Sequence, residues 1–487
     1  MGIEMRPFKR RVRLFQTLRA RMGKASKEEI LEGNIVPTLF KLGWPVMISS
    51  LLQTMYNLID TFWIGRLPKE EAELSVAAIG LSWPFVFLMI SVGLGFGVAG
   101  LAMVSQHVGA KRIKEANEDV AQFYLIIIIL SIIFAVIGYM TSHLFLELLT
   151  GGSPAVSYGV DYLRIIFLGI PFMMITVAFT FILNGYGDTI TPMLLMVISI
   201  IINVILDPFF IFGWSSFPAM GIQGAALATV IARSVGSVIA LYLLFKGLDG
   251  LKLKIKYMKP NKEKIKKFFK IGVPASLSRI ADSTGFIILV GLIAALPSAE
   301  NALAAYTIGN RIINIVFLIL GGIGVAISTM VGQSLGADKV DRAVEVTKKG
   351  ISLMVGLMII VSIFQYLLRN VLIGIFIPES KEVIRIGADF LAILAVGGPF
   401  FAIFSGVAAV FDGSGHTTQQ MALSLTRLWL LRIPLVYLLA FFLSWNYIGA
   451  WWGMVISNLI AALFAIALFE KGLWKEKIIE KKPVEKV

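Results

Sequence analysis

The sequence predicts an all-α membrane protein: twelve transmembrane helices in two six-helix lobes related by a pseudo-two-fold axis along the membrane normal. Three observations carry that prediction. Of 487 residues, 57% are apolar and only 15% charged, against roughly 25% charged in soluble proteins, and the mean hydropathy is +0.84. Apolar runs long enough to cross a hydrocarbon core, which takes about 20 helical residues, recur twelve times. The second half of the chain also repeats the first at an offset of 227–229 residues.

In order along the chain, residues 1–36 hold no apolar core, so no cleavable signal peptide is expected. Their run Lys9-Arg10-Arg11-Val12-Arg13-Leu14-Phe15, with Arg19 and Arg21, suits a basic interfacial segment on anionic lipid. The N-terminal lobe occupies 37–245, with spans near 37–65, 74–105, 120–146, 162–183, 192–212 and 221–245. A linker at 246–270 carries ten lysines. The C-terminal lobe occupies 271–469, with spans near 271–295, 303–331, 350–369, 386–411, 421–443 and 449–469, and a tail runs over 470–487. Twelve spans put both ends on one side. The segments on that side hold 32 of the 44 Lys and Arg residues, and the opposite loops hold four. By the positive-inside rule both termini are cytoplasmic and the protein sits in the cell membrane. The net charge of +14 therefore reports topology, with anionic headgroups as partners of the basic segments and no nucleic acid expected.

The repeat is read from matched strings. Phe40 to Pro45 matches Phe269 to Pro274, and Gln106-His107-Val108-Gly109-Ala110 matches Gln333-Ser334-Leu335-Gly336-Ala337. Pro171-Phe172 matches Pro399-Phe400, and Gly185 to Thr189 matches Gly413 to Thr417. Each unit has an even number of spans, so the second enters from the same face as the first, as in parallel transporter repeats. Two such lobes leave a central cleft whose alternate opening is the mechanism of a secondary transporter. Pro45 and Pro274 are placed near the starts of their spans, where a missing N–H costs little.

Several classes fall away. There is no cysteine and only three scattered histidines, so no disulfide, cysteine nucleophile or His-rich metal site is expected. The one Gly-Lys pair, Gly23-Lys24, precedes Ala25, so there is no Walker A loop. Gly95 to Gly100 satisfies G-x-G-x-x-G but lies inside a span, where Gly93, Gly97 and Gly100 allow close helix packing instead. With neither a nucleophile nor a metal cluster, no enzyme and no cofactor are expected.

The spans retain Lys41, Arg164, Arg233, Arg279, Arg311, Arg369, Arg427 and Arg432, and the acids Asp60, Asp207, Asp282 and Asp389. Ionisable groups at membrane depth cost perhaps 2.5–3.5 kcal/mol each on insertion scales, so each should face protein or water. Lys41, Arg369 and Asp389 lie near span ends and can reach the interface. Gln53, Tyr56, Asn57 and Asp60 follow i, i+3, i+4, i+7 and form one polar stripe. Asn203 and Asp207 are i, i+4 on span five, where Pro208 frees a backbone carbonyl. Thr229 adds a hydroxyl on span six. Two carboxylates, an amide oxygen, a hydroxyl and a loose carbonyl suit a hard cation such as Na⁺; the same carboxylates, out of water, can carry a proton instead.

Three strings, Gln53 to Asp60, Gly185-Tyr186-Gly187-Asp188 and Asn203 to Pro208, make the sequence resemble the prokaryotic branch of the multidrug and toxic compound extrusion (MATE) family over nearly all twelve spans. By that resemblance Asp60, Asn203, Asp207 and Thr229 fall on the N-lobe cation-site positions, with Tyr162, at the start of span four, a further member. Asp282 matches an acid of span seven that serves a C-lobe cation site in another branch; alternatively it pairs with Arg279 at i, i+3. The resemblance implies export of amphipathic, often cationic organic compounds in exchange for Na⁺ or H⁺. It suits a cavity whose carboxylates attract cations and whose walls, from Met55, Tyr56, Trp63, Phe286 and Met330, bind flat apolar groups. A monomer is expected. The alternative is a lipid-linked precursor flippase of the same superfamily, suggested by Arg233, Arg279, Arg311, Arg427 and Arg432 if most of them line the cleft.

Overall fold

The computed structural model describes residues 22–151, 153–214, 217–297 and 299–480; the basic run from Lys9 to Arg21 lies outside them. Among the described residues, twelve helices are long and apolar enough to cross a membrane. Strand pairing is limited to two isolated bridges. The first lobe comprises α1 (Ile35–Ile64), α2 (Lys69–Gly109), α3 (Ile113–Thr150), α4 (Ala155–Tyr186), α5 (Ile190–Phe212) and α6 (Gly221–Lys246). The second comprises α7 (Lys262–Ala294), α8 (Ala299–Gly336), α9 (Val340–Gly374), α10 (Lys381–Ser414), α11 (Thr417–Phe442) and α12 (Asn446–Glu470). Both described chain ends lie on one face, called the terminal face below; the other is the outer face.

Most helices outrun their predicted spans. α9 begins at Val340 rather than near 350, because its first turns (Asp341, Arg342, Glu345) are polar. Hydropathy marks where a helix meets hydrocarbon, while the backbone ladder continues past it. For the same reason Tyr162 sits two turns inside α4 instead of opening it. The prolines need a larger correction. Pro45 and Pro274 are deep inside helices that start at Ile35 and Lys262. Each therefore leaves the carbonyl one turn back without its helical donor, at a place where a helix bends.

That bend has a place in the architecture. The terminal half of α1 (Ile35, Leu39, Leu42) packs into the second lobe with Ile323, Ile327 and Val346, while its outer half reaches α5. α7 does the converse: Phe268 and Ile271 join the first lobe's core, and Leu289 and Ile293 join the second's. Glycines make these crossings close. The Gly43 carbonyl lies where a Cβ on Gly322 would need room, at 2.7 Å, and backbone atoms of Ser276 lie where one on Gly95 would go.

At the terminal face the lobes are shut against each other with pseudo-two-fold symmetry. A Cβ on Gly109 would sit 1.9 Å from the Gln333 carbonyl oxygen, and one on Gly336 would sit 1.9 Å from that of Gln106. The repeated glutamines cross the same seam: Gln106 Nε2 donates to the Ser414 carbonyl at 3.1 Å and Gln333 Nε2 to the Gly185 carbonyl at 2.9 Å. The tail lies across this seam, with Ile478 N–H donating to Gln106 Oε1 at 2.9 Å. Ion pairs Lys477–Asp338, Lys267–Glu480, Lys24–Asp249 and Lys339–Glu32 tie tail, linker and N-terminal turn together. Elsewhere large apolar side chains face outward, as along α3 at Ile132, Val136, Met140 and Leu148, the expected surface of a chain bathed in lipid.

Candidate functional site

Four polar residues singled out in the first lobe's spans gather in its outer half. Asp60 is near the outer end of α1, Asn203 and Asp207 near that of α5, and Thr229 early in α6. Asn203 and Asp207 are fully buried, Thr229 is 6% exposed and Asp60 is partly buried. Thr229 Oγ1 donates to Asp60 Oδ2 at 3.2 Å, and Asn203 Nδ2 donates to Asp207 Oδ1 at 2.8 Å. Asp60 lies close enough to Asp207 and Asn203 for their side chains to affect its charge. Three acceptor oxygens, Asp60 Oδ1, Asp207 Oδ2 and Asn203 Oδ1, are buried with no donor. Buried polar atoms are normally paired, and three oxygens lacking donors beside two carboxyl groups have the chemistry of a site for a small cation or a proton.

Around this cluster, Tyr56 is buried and its hydroxyl reaches the Thr229 carbonyl at 3.5 Å. Tyr162 is near enough to interact electrostatically with Asp60 and Asp207. Gln53 accepts from Arg233 Nη2 at 2.7 Å, and the Arg233 guanidinium lies 4.6 Å from the centre of the Tyr56 ring. Asn57, counted on the same stripe, is exposed; its link to the group is through Gln53 Nε2 at 3.4 Å. Arg233 is a neighbour that sequence reasoning placed with the cleft arginines. Its signal was its position four residues after Thr229, one turn along the same face. Among the described residues no group of three or more His, Asp or Glu gathers, so any cation here relies on amide, hydroxyl and carbonyl oxygens as well as carboxylates.

The large cavity is elsewhere. It measures about 980 Å³ and lies between α2 and the second lobe, again in the outer half. Its walls are mainly apolar, with aromatic side chains including Trp83, Phe286, Tyr306, Phe317, Phe390 and Phe401, and its charged lining residues among those described are Arg427 and Arg432. The expected carboxylates do not line this cavity: their cluster lies within the first lobe, whereas the cavity lies between the two lobes. Of the five expected wall residues only Phe286 lines it. Met330 is buried in the second lobe's core, Tyr56 packs with Met196 and Ile200, Trp63 meets Phe212 edge to face, and Met55 is exposed.

Asp282 pairs with Arg427 of α11 at 3.4 Å rather than with Arg279, which lies near Asp412. Of the five arginines behind the flippase alternative only Arg427 and Arg432 line the cavity; Arg233 serves the N-lobe cluster and Arg311 is exposed.

Comparison with known proteins bears on the fold and the family. The sequence profile of MatE matches the chain twice, over residues 45–209 and 274–438. The chain is 28% identical to a probable multidrug resistance protein, YoeA, of Bacillus subtilis, over 89% of this chain and 93% of that one. It is 26% identical to a probable multidrug resistance protein, NorM, of Thermotoga maritima, over 93% and 96%. Among solved structures, a crystal structure of MATE in the bent conformation superimposes with a TM-score of 0.85 at 23% identity, covering 92% of this chain and 98% of that one.

Proposed function

The chain belongs to the MatE family of multidrug efflux transporters, and from that premise we propose that it is a secondary antiporter, exporting amphipathic organic compounds in exchange for inward Na⁺ or H⁺. The observation that carries the coupling is the buried N-lobe cluster. Asp60 and Asp207 are close enough to affect each other's charge, and one oxygen of each, with Asn203 Oδ1, lacks a donor. Two carboxylates on the order of 4 Å apart repel by about 4 kcal/mol at an effective dielectric of 20. A cation or proton between them relieves that repulsion, and its release restores it. Such a differential interaction is what an ion needs in order to shift a conformational equilibrium.

The positive-inside rule makes the terminal face cytoplasmic. The sealed seam at Gly109 and Gly336 and the cavity in the outer half then describe an outward-facing state. The cycle runs by parting that seam while the outer halves close. α1 and α7 take part in both movements, because each touches one lobe near the terminal face and the other near the outer face. Cargo and coupling ion then compete, directly or through the conformational equilibrium. The membrane lipid around the basic segments is a solvent and anchor in this scheme rather than cargo.

The test is efflux of a panel of cationic, neutral and anionic dyes from proteoliposomes under an imposed Na⁺ or H⁺ gradient. Gradient-driven movement of at least one dye, lost in Asp60→Asn and in Asp207→Asn, is expected. Movement that ignores both gradients, or that survives both substitutions, contradicts the proposal.

A further inference from the structure

Among the described residues, the charged side chains lining the cavity are two arginines, both nine-tenths out of water: Arg427 is 5% exposed and Arg432 is 6% exposed. They are brought together by a departure from ordinary helix. Five residues apart on an α-helix, two side chains diverge by about 140°. Thr426–Arg432 is instead a π-helical segment, in which i→i+5 bonds make five residues roughly one turn. Both guanidiniums therefore reach the same cavity. Pro434 follows directly; without an N–H it cannot bond the Leu430 carbonyl, which favours an irregular ladder here.

Their partners leave positive charge over. Arg427 meets Asp282 at a long 3.4 Å, its Nε is buried with no acceptor, and it lies 4.7 Å from the Phe404 ring centre. Arg432 donates to Ser457 Oγ at 3.1 Å and Asn458 Oδ1 at 2.5 Å, both neutral. Among the described residues no carboxylate stands within ion-pair distance of Arg432. A buried guanidinium without a counter-charge is costly, and a planar fork of donors fits carboxylate, sulfonate or phosphate oxygens. The rest of the wall is largely aromatic and aliphatic, with the neutral polar side chains of Ser91, Ser283, Thr284, Asn310, Asn314 and Asn458 among it.

We propose that this cavity is a binding site for amphiphiles with an anionic head and an aromatic or otherwise apolar body, the head held by Arg432 with Arg427 beside it. The proposal rests on the exporter reading for what the cavity is used for, but its test does not. Binding is measured by fluorescence anisotropy on the purified full chain, with fluorescein as the anionic probe, ethidium as the cationic one and Nile red as the neutral one. Fluorescein is expected to bind more tightly than ethidium, and about 10- to 100-fold more weakly in Arg432→Gln. Arg432→Lys should keep much of the affinity, and Nile red should bind every variant alike. Equal fluorescein affinity in Arg432→Gln, tighter ethidium binding in the wild type, or loss of Nile red along with fluorescein overturns the proposal. Failure of every dye to move under an ion gradient sinks the exporter reading while leaving these affinities intact. Two further arms locate the natural head group. Arginine-dependent flipping of labelled phosphatidylglycerol in vesicles assigns it to lipid, and arginine-dependent transport of fluorescein in phosphatidylcholine vesicles assigns it to a free amphiphile.

Discussion

Thr229 gives its hydroxyl hydrogen to Asp60 Oδ2, which fixes that carboxylate oxygen and leaves Oδ1 buried without a donor. Thr229→Val keeps the shape and removes the donor. A hydrogen bond to a charged group is worth roughly 1.5–3 kcal/mol, so the ion concentration giving half-maximal efflux should change by about tenfold or more, read from a Na⁺ and a pH series. An unchanged midpoint would show that the hydroxyl does not order the site. Much of this cluster was legible in the sequence, because ionisable and amide groups at helical spacing inside apolar runs are rare enough to stand out. Asp60, Asn203, Asp207, Thr229 and Tyr56 do come together. What periodicity does not give is the angle at which a helix meets its neighbours. Met330 and Trp63 suit a cavity wall by residue type, yet one faces the second lobe's core and the other Phe212. Asp282 had a local partner in Arg279, but a residue 145 positions away took it.

At the scale of elements, the matched strings Gln106–Ala110 and Gln333–Ala337 acquire a meaning the repeat alone did not supply: they are the two sides of the terminal seam. Even the backbone repeats where residue type does not, since Lys111 and Asp338 are both left-handed with φ of 58°. Gly336→Ala places a methyl group against the Gln106 carbonyl, a backbone atom that cannot swing away, so the lobes must part. The chain has no cysteine, which makes a single Ser105→Cys a clean reporter. It should react with a membrane-impermeant maleimide from the terminal side several-fold faster in the Gly336→Ala background; equal rates would mean that the seam is not the closed gate. The charged strap over that seam carries its own pH dependence. Hydrogen bonds from Lys41, Lys339 and Lys267 hold Glu29, Glu32 and Glu480 below the usual carboxylate range. Their contribution is therefore fully present above about pH 4.5 and lost as pH falls through the lowered values. Hydrogen exchange over residues 26–33 and 476–480, corrected for its intrinsic pH dependence, should rise below pH 4.5 at high protein stability. Protection unchanged down to pH 3 would show that the strap does not depend on these pairs. The π-helical turn in α11 was the least legible element, because residues 421–443 carry an ordinary apolar run and only Pro434 hints at an irregular ladder.

For the molecule as a whole, composition, charge asymmetry and the internal repeat were enough to foresee twelve helices in two lobes, since bilayer thickness and the positive-inside rule act on sums over many residues. Function depends instead on a few contacts between distant segments, and the sum conceals them: the first lobe gathers carboxylates, the cavity between the lobes gathers arginines, and opposite signs cancel in the total. The division suggests separate seats for coupling ion and cargo, joined through α1 and α7. The most direct test of exchange is to watch the ion. In proteoliposomes with no initial gradient, cargo added outside should drive Na⁺ or H⁺ in the opposite direction, followed with radioactive sodium and with an internal pH dye. The ion movement should vanish in the Asp60→Asn/Asp207→Asn double variant. Cargo crossing with no ion countermovement, or countermovement that persists in the double variant, would contradict coupling through the N-lobe cluster.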